Sequence, residues 1–365
     1  MLKALLFSCE PGGAEVIIPV ARLLAEAGGY ETMVTGYGHA IERFEREGLS
    51  YALIDRVEKD DASFLRRFAP DLVITSAASL PAKDMSEKNI WGICRMADIR
   101  TIALLDQWQN YSLRFSGQTP KEHLAYLPDA INCIDGIGKQ EMIEEGFDRD
   151  ILHPLGHPYL DRLHRIAETM DRAAIREKFG IAAHEHVLLF VSEAIEENYG
   201  VERGYTQYDA LKVFLSNIAP AAATSVLVKL HPKDRMANFS QIQAAFPRHK
   251  LAFIAGEFSS LECILMADKV IGMSSIMLVE AHILGKQVVS IQPGLKVADP
   301  FVLSRLGCIA TLRDREFDLN SIGEPVPAPG RTGRNKLGYV FLRKEFLSLV
   351  NQMMEPSYGR RAGRS

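Results

Sequence analysis

The chain has 365 residues, of which 47% are hydrophobic and 24% charged, and its formal net charge is −4. These values are typical of a soluble globular protein long enough for two domains, and they predict no general attraction to nucleic acid. The five cysteines are dispersed without Cys-x-x-Cys spacing, which argues against a disulfide framework or a zinc site. No signal peptide or membrane span fits the sequence. We therefore expect a cytoplasmic protein, and peripheral contact with the inner membrane stays open.

Apolar, strand-like segments alternate with helical segments through the first half of the chain. Strands are predicted at residues 2–8, 31–36, 49–55, 71–76, 99–106, 129–135 and 150–156. Helices are predicted between them at residues 12–28, 38–47, 60–68, 85–97 and 137–145. Such alternation is typical of a parallel sheet wrapped by helices.

The pattern starts again after a charged helix predicted at 159–179. New strands are predicted at residues 186–194, 225–232, 250–256, 268–275, 286–294 and 307–312. Helices are predicted at residues 206–217, 235–245, 259–266 and 275–284. A loop rich in proline and glycine follows at 323–335, and then a last helix at 336–354. The predicted fold class is α/β, with two Rossmann-like domains that face a cleft.

The strand predicted at 225–232 delivers Lys229, His231 and Pro232 at its carboxyl end. In an open α/β sheet, that end is where ligands bind. Proline fixes φ and stops the ladder, so His231 is held on the rim, where it can contact a nucleotide while Lys229 assists with phosphate. The alternative is a simple strand terminator.

Another strand ends at Gly272 and runs into a helix that begins at Ser274 and Ser275. Free backbone N–H groups at a helix start, together with two hydroxyls, predict a phosphate site. Glu280 lies farther along this helix in an apolar run and is suited to accept hydrogen bonds from a ribose. The alternative is an ordinary serine-capped helix with one polar residue.

The succession of His-Pro, then Ser-Ser, then an acid in the helix resembles the GT-B glycosyltransferase superfamily. It is most similar to the branch with HP and SS motifs, in which bacterial sialyltransferases and glycerol-phosphate polymerases are found. The residues to which the resemblance assigns nucleotide binding are His231, Pro232, Ser274 and Ser275.

The acids depart from the pattern of retaining GT-B enzymes. Glu280 matches the second acid of their Glu-x7-Glu pattern, but Gly272 stands in place of the first, so we expect inverting transfer. The resemblance also implies a division of labour among three segments. These are an acceptor domain at 1–160, a nucleotide-donor domain at 161–335, and a segment at 336–365 with a helix that returns to the first domain and a basic tail.

Two glycines, Gly12 and Gly13, follow the first strand directly and allow the backbone to approach a ligand closely. This turn is not a Gly-x-Gly-x-x-Gly loop, and the chain contains no P-loop. In GT-B enzymes such a turn borders the donor phosphates and the acceptor, which makes Glu15 a candidate catalytic residue. The alternative for Glu15 is a first-turn acid favoured by the helix dipole.

The segment 104–115 is the densest polar cluster of the first half. Asp106 is the candidate general base, because inverting transfer needs a group that takes the proton of the acceptor hydroxyl. Trp108 and Asn110 are expected to line the cleft, where an aromatic ring can stack on a sugar. The alternative is a loop acid with ordinary aromatic packing.

The remaining candidates lie at two further strand ends. His157 belongs to a second His-Pro pair at the domain crossover and is expected to line the cleft. Ser192 and Glu193 end the first strand of the second half, where GT-B enzymes usually contact the donor. No Asp-x-Asp motif accompanies the acids of this segment, so we predict that no metal is bound. Helix dipoles and side chains can instead stabilise the leaving phosphates.

The leading hypothesis is a transferase that moves a sugar from a nucleotide donor of CMP/CDP or UDP type to a glycan or lipid-linked acceptor in surface-polysaccharide or lipopolysaccharide assembly. The donor is a co-substrate, and no cofactor is expected. One alternative is a nucleotide-sugar 2-epimerase or hydrolase of the same fold, for which the candidate acids and histidines are Asp106, Glu193, His39 and His157. Another is a non-catalytic nucleotide- or glycan-binding protein, which fold alone does not exclude.

Overall fold

The computed structural model describes residues 1–317 and 337–355. The chain forms two compact units. The first unit contains residues Met1–Asp161 together with the segment that begins at Leu337, and the second begins at Arg162 and includes the described residues up to 317. Each unit is built on one parallel sheet with helices between its strands, so we refer to them as the first and the second domain.

The first domain has a sheet of seven strands in the order β3-β2-β1-β4-β5-β6-β7. The strands are β1 (Leu2–Ser8), β2 (Tyr30–Gly36), β3 (Ala52–Leu53), β4 (Leu72–Ser76), β5 (Arg100–Leu104), β6 (Ala130–Asn132) and β7 (Leu152–His153). The helices between them are α1 (Pro11–Ala27), α2 (Ala40–Arg46), α3 (Ser63–Phe68), α4 (Ser86–Met96), α5 (Tyr111–Arg114) and α6 (Gly136–Glu144).

The second domain has a sheet of six strands in the order β10-β9-β8-β11-β12-β13. Its strands are β8 (His186–Val191), β9 (Thr224–Lys229), β10 (Lys250–Ile254), β11 (Lys269–Gly272), β12 (Gln287–Ile291) and β13 (Ala310–Leu312). Its helices are α7 (Leu163–Glu168), α8 (Arg172–Lys178), α9 (Ile195–Tyr199), α10 (Gln207–Ser216), α11 (Met236–Ala245), α12 (Ser260–Met266), α13 (Ile276–Ile283) and α14 (Val302–Arg305).

Both sheets reverse their strand order at the same place. In the first domain β1 lies between β2 and β4, and in the second domain β8 lies between β9 and β11. In each domain, the second strand along the chain therefore lies on one side of the first strand, and the fourth strand lies on its other side. The crevice at the carboxyl ends beside such a reversal is where open α/β sheets bind ligands.

The cores explain why these segments form strands. The five residues of β4, Leu-Val-Ile-Thr-Ser, are all buried, as expected for a strand covered on both faces. A last helix, α15 (Arg343–Met353), belongs to the first domain. Its apolar face packs into the core formed by β1 and α1, with Phe346 and Val350 fully buried. None of the helices in the described ranges has the length and the apolar character needed to cross a membrane.

Several predicted elements differ from the structure, and the strand predicted at 150–156, for example, is reduced to Leu152–His153. The strand predicted at 49–55 is reduced to Ala52–Leu53, which pairs with β2 alone at the edge of the sheet. The helix predicted at 159–179 is interrupted, because the Asp171 side chain accepts the Ala173 N–H and starts a new helix.

The last helix begins later than the predicted start at 336. The residues before Arg343 are held by other hydrogen bonds, in which Leu342 donates its N–H to the carbonyl of Leu155 and Tyr339 accepts the N–H of His157. The loop predicted at 323–335 and the basic tail lie outside the described residues.

Candidate functional site

Each domain presents polar residues where its central strands end. We define the first strand edge as residues 9–13, 77–79 and 105–109, which follow β1, β4 and β5. The second strand edge comprises residues 192–194, 230–234 and 273–275, which follow β8, β9 and β11. The sequence candidates fall on or beside these two edges, which we describe separately.

The glycine turn of the first strand edge is tightly packed. A Cβ atom on Gly13 would lie 2.5 Å from Ser8 Oγ and 2.6 Å from Ser76 Cβ, closer than real Cβ contacts. A Cβ atom on Gly12 would collide with the carboxylate of Asp106. Both positions therefore require glycine because side chains of the neighbouring strands occupy the space, and the close approach is to the protein itself.

A buried carboxylate from α4 ties these strand ends together. Glu87 is 1% exposed and accepts the hydroxyl of Ser76 and the N–H group of Ser79, the latter at 3.0 Å. Its neighbour Lys88 is fully buried and donates to the Ser79 carbonyl at 2.9 Å. Burial lowers the pKa of Lys88, although Glu87 opposes the shift. Glu87 and Lys88 therefore stabilise the first strand edge through internal hydrogen bonds.

The structure corrects the assignment of Asp106 as general base. Asp106 is 4% exposed, and Arg114, itself 3% exposed, donates to its Oδ1 at 2.7 Å. Arg114 also donates to the carbonyls of Gln109 and Ala77, and so it joins the ends of β4 and β5. With one oxygen in this ion pair and the other against Gly12, the carboxylate positions the glycine turn and offers no free face to an acceptor hydroxyl.

Trp108 and Asn110 are likewise part of the scaffold. The Trp108 ring is 2% exposed, so it cannot stack on a sugar, and its Nε1 donates to Asp135 Oδ1 at 3.0 Å. Asp135 caps α6 and also accepts the N–H of Gly338 from the returning segment. Asn110 adopts a left-handed backbone conformation, with φ of 58°, immediately before α5. Asparagine tolerates this conformation better than most residues.

His157 is buried and does not line an open surface. It is 1% exposed, and its Nδ1 accepts the N–H of Leu160. Its Nε2 therefore carries the proton and donates to the Asp106 carbonyl at 3.1 Å. Burial lowers the pKa of His157 to about 4, against the opposing effect of Asp106, so the ring is a neutral link at neutral pH.

Glu15 keeps the features of a titratable site residue. It lies in the second turn of α1 and its side chain is 22% exposed, with Arg43 Nε of α2 at 3.3 Å from its carboxylate. Burial raises the pKa of the Glu15 carboxyl, and Arg43 acts in the opposite direction. A carboxyl group with a raised pKa is suited to proton transfer.

At the second strand edge, His231 and Pro232 form a tight turn after β9. The N–H of His231 donates to Asp234 Oδ2 at 2.8 Å, and the Nδ1 of its ring accepts the N–H of Lys233 at 3.1 Å. The neutral ring therefore carries its proton on Nε2, as a donor that the turn holds in one orientation. His231 is half-buried and Pro232 is exposed. Lys229 is turned aside, because its Nζ donates to the carbonyl of Ala255.

Ser274 and Glu193 bind each other across the end of β8 and β11. The N–H and the hydroxyl of Ser274 both donate to the Glu193 carboxylate, at 2.8–2.9 Å. Arg203, 3% exposed, donates to Ser274 Oγ at 3.0 Å and lies 3.6 Å from Glu193 Oε1. The hydroxyl of Ser274 is therefore already engaged, so the two predicted donor-binding residues form one ionic cluster.

The other candidates of this edge have more varied surroundings. Ser275 is half-buried and caps α13, where its Oγ accepts the N–H of Met277 at 3.3 Å. Ser192 is 5% exposed, and its N–H donates to the Lys229 carbonyl at 2.9 Å. Glu280 lies within α13 and is 4% exposed. No cluster of three or more acids, histidines and cysteines suited to a metal occurs in the described part of the chain.

Several residues that organise these edges had no recognisable signal in the sequence. Glu87 and Lys88 look like a solvated first helical turn, and Arg203 stands alone in a polar loop. Arg114 belongs to the polar cluster at 104–115 but carries no motif. Each acquires its role from partners that are distant in sequence, and only the fold brings those partners together.

No protein-family model and no curated protein sequence matches this chain. Solved structures do match it over nearly its whole length. The UDP-GlcNAc 2-epimerase from Neisseria meningitidis bound to UDP-GlcNAc is 12% identical, with a TM-score of 0.64 over 96% of this chain and 100% of that one. The S. aureus MnaA-UDP co-structure is 10% identical, with a TM-score of 0.69 over 100% of both chains.

A third similar structure is that of Anabaena Alr3699/HepE in complex with UDP and glucose. It is 11% identical, with a TM-score of 0.62 over 96% of this chain and 100% of that one. At these identities the likeness shows the fold alone. The predicted fold class is thereby confirmed: the chain has two Rossmann-like domains, each with a parallel sheet, as in the GT-B fold. The narrower resemblance to the branch with HP and SS motifs stays a prediction.

Proposed function

We propose that the protein is an enzyme that acts on a nucleotide-activated sugar and that its second domain binds the nucleotide. The observation that carries this proposal is that three polar groups lie at the ends of neighbouring strands of one sheet. β9, β8 and β11 are neighbours, and beyond their carboxyl ends lie the His231 ring, the Arg203–Glu193 pair and the half-buried start of α13 at Ser275. Donors at such a reversal of strand order are suited to a nucleoside diphosphate.

His231 contributes a donor of defined direction. Because its Nδ1 is occupied by the N–H of Lys233, the Nε2–H group is directed away from the turn. A phosphate oxygen or a carbonyl of the base are acceptors that match it. The nucleotide is of the UDP type, a choice supported by the similar structures, which contain UDP or UDP-GlcNAc.

The first candidate reaction is 2-epimerisation of the sugar. It is supported by the structural similarity to UDP-GlcNAc 2-epimerases, among them the proteins from Neisseria meningitidis and Methanocaldococcus jannaschii. Inversion at a carbon next to the anomeric centre requires a proton to leave one face of the ring and another to enter the opposite face. Two acid–base groups, or one that serves both faces, are therefore needed.

A second candidate, transfer of the sugar to a glycan or lipid-linked acceptor, is favoured by a specific observation. Asp106 and Glu87, two carboxylates at the strand ends of the first domain, are both buried and committed to internal partners. Transfer with inversion needs only one base, and Glu15, with its raised pKa, is the residue we assign to that role. Hydrolysis of the nucleotide sugar would use the same group with water as the acceptor.

Ligand-induced stabilisation tests the nucleotide. A ligand that binds only the folded protein at a hundredfold excess over its Kd stabilises it by about 2.7 kcal/mol. We expect a rise in melting temperature with UDP that exceeds the rise with CMP, CDP or GDP. Equal responses to all four, or none, would contradict the assignment.

Incubation with UDP-GlcNAc, followed by proton NMR of the sugar, separates the reactions. A new epimer of the intact nucleotide sugar indicates 2-epimerisation, free sugar with UDP indicates hydrolysis, and release of UDP that requires an added acceptor indicates transfer. Glu15→Gln should lower turnover about 10²- to 10⁴-fold in any of these reactions. Glu26→Gln, which changes an exposed acid near the other end of α1, is the matched control.

A further inference from the structure

The Glu193 carboxylate occupies a site built from anion-binding groups. Its two oxygens receive the N–H and the hydroxyl of Ser274, and the Arg203 guanidinium lies 3.6 Å away. The Ser274 N–H immediately precedes α13, where the helix dipole favours negative charge. A backbone N–H, a hydroxyl and a guanidinium are also the groups that proteins use to hold a phosphate.

The donors of this cluster, Ser274 and Arg203, are buried, whereas the acceptor, Glu193, is partly exposed to solvent. Ser274 and Arg203 are each 3% exposed, and the Arg203 guanidinium lies over the Tyr199 ring at 3.9 Å. The Glu193 side chain is 14% exposed and projects from the connection between β8 and α9. Rotation of this one side chain would uncover the donors without any movement of the strands.

A further hydroxyl beside the cluster lacks an acceptor for its proton. Tyr205 is 3% exposed, and its hydroxyl interacts with Arg203 as well as with Glu193. A guanidinium can only donate, and no group in the described residues accepts the Tyr205 O–H with good hydrogen-bond geometry. Buried hydroxyls are normally satisfied, so a polar atom of this kind indicates an acceptor that arrives from outside the chain. A phosphate has more acceptor oxygens than a carboxylate and can engage this additional donor.

Charge balance requires that the site always hold an anion. An uncompensated buried guanidinium costs several kcal/mol, so Arg203 needs a negative partner both with and without ligand. When nothing is bound, Glu193 supplies that charge. A phosphate group brings its own charge, and with it present Glu193 can turn toward solvent at little electrostatic cost.

We propose that Glu193 is an exchangeable internal anion, which fills the Ser274–Arg203 site until a phosphate group of the ligand displaces it. The inference rests on the proposed function for the identity of that ligand, a nucleoside diphosphate. It assigns Arg203 and Ser274 as phosphate-binding groups and Glu193 as a competitor of the phosphate. Glu193 thus lowers the affinity for free phosphate-containing molecules that lack the other contacts of the full substrate.

The test is the effect of Glu193→Gln on anion binding, measured by isothermal titration calorimetry with inorganic pyrophosphate and, separately, with UDP. The glutamine keeps the shape but not the charge, so both ligands should bind roughly tenfold to a hundredfold more tightly than to the wild type, the range of one hydrogen bond to a charged group. Glu193→Asp, which keeps the charge, should bind like the wild type. The double variant Glu193→Gln with Arg203→Met should lose the gain.

The two ligands separate the failure of this inference from that of the proposed function. A gain for pyrophosphate without any binding of UDP would remove the nucleotide proposal and leave the exchange intact. Unchanged or weaker binding of both ligands to Glu193→Gln would overturn the exchange and make Glu193 a direct contact or a structural acid.

If Glu193→Gln does not fold in low-salt buffer, its melting transition is followed as pyrophosphate is added. If pyrophosphate restores the folding of Glu193→Gln, the exchange is supported. If pyrophosphate does not restore it, although the double variant Glu193→Gln with Arg203→Met folds, the exchange is refuted.

Discussion

The two strand edges of this protein share one topology but differ in how far they are sealed. In each domain a carboxylate joins the strand ends beside the reversal of strand order: Glu87 binds Ser76 in the first domain, and Glu193 binds Ser274 in the second. Glu87 comes from a helix behind the sheet and is 1% exposed, whereas the Glu193 side chain comes from the strand end itself and is 14% exposed. The same fold therefore presents one edge as internal structure and the other as a surface.

This difference in exposure predicts whether a substitution at each strand edge will affect stability or ligand binding. At the first strand edge, polar groups are committed to one another, so their removal should act mainly on the free energy of unfolding. At the second strand edge, His231, Ser275 and Glu193 are partly exposed, so their removal should act mainly on ligand binding. The predictions below test this contrast, in order of decreasing effect.

The largest effect is expected from Asp106→Asn. It leaves the Arg114 guanidinium buried without its partner, and breaking a buried ion pair by removing one member costs about 3–5 kcal/mol. Urea unfolding of the single variant and of the double variant Asp106→Asn with Arg114→Met measures this cost, and the double variant should recover most of it. A single variant as stable as the wild type, with turnover lowered about 10²- to 10⁴-fold, would instead restore Asp106 as a base.

Gly13→Ala should lower the free energy of unfolding by about 3 kcal/mol, the upper part of the range for overpacking a tight site. The added methyl group would meet Ser8 and Ser76, whose positions are fixed by the strands. The matched control is Gly92→Ala in α4, where the added methyl group meets nothing and helix propensity should stabilise the protein by up to about 1 kcal/mol. A neutral effect at Gly13 would show that the first strand edge is looser than its geometry indicates.

His157 should make stability depend on pH. Its pKa is lowered to about 4 in the folded protein, against 6.5 for the free side chain, so the unfolded chain binds more protons between these values. The stabilisation is therefore present above pH 6.5 and is lost as the pH falls toward 4, with about 2 kcal/mol lost by pH 5. Urea unfolding at several pH values, for the wild type and His157→Asn, measures this loss. An equal pH dependence in both proteins would assign it to other groups.

His231→Ala should leave stability within about 0.5 kcal/mol of the wild type but weaken UDP binding by about 1.5 kcal/mol. The variant removes the Nε2–H donor from a half-buried turn without opening the core. His184→Ala, an exposed histidine that precedes β8 at the opposite edge of the sheet, is the control and should bind UDP like the wild type. If His231→Ala destabilises the protein and leaves UDP binding unchanged, the histidine only terminates its strand.

Much of the architecture could be predicted from local patterns. Buried parallel strands appear as short apolar runs such as residues 71–76 and 225–232, and the intervening helices have their own spacing. The predicted bounds of some elements were wrong, because tertiary contacts determine where those elements begin and end. The edge strand at Ala52–Leu53 is short because it has one neighbour, and the helix predicted at 159–179 breaks where Asp171 caps a new one.

The candidate site was predicted as a set of positions rather than as a set of contacts. The His-Pro and Ser-Ser pairs do lie beyond the carboxyl ends of β9 and β11, the two strands that flank β8 in the parallel sheet. Their partners were not predictable, because Glu193 and Ser274 are 81 residues apart, and Arg114 reaches the carbonyl of Ala77 across 37 residues. No local sequence pattern predicts which side chain from elsewhere in the chain will pack beside a strand end.

The sequence by itself determined the alternation of strands and helices, the two domains and the strand ends that carry polar residues, because these follow from periodicity and from where the chain turns. Only the tertiary structure decided which of those polar residues are available to a ligand. Asp106 and His231 have the same kind of sequence signal, a polar residue at the end of an apolar strand. One is 4% exposed and paired with Arg114, while the other is half-buried with a donor directed away from its turn. Exposure and ion pairing depend on neighbours distant in the chain, and it is the packing of those neighbours that separates a buried, ion-paired acid from a half-buried donor.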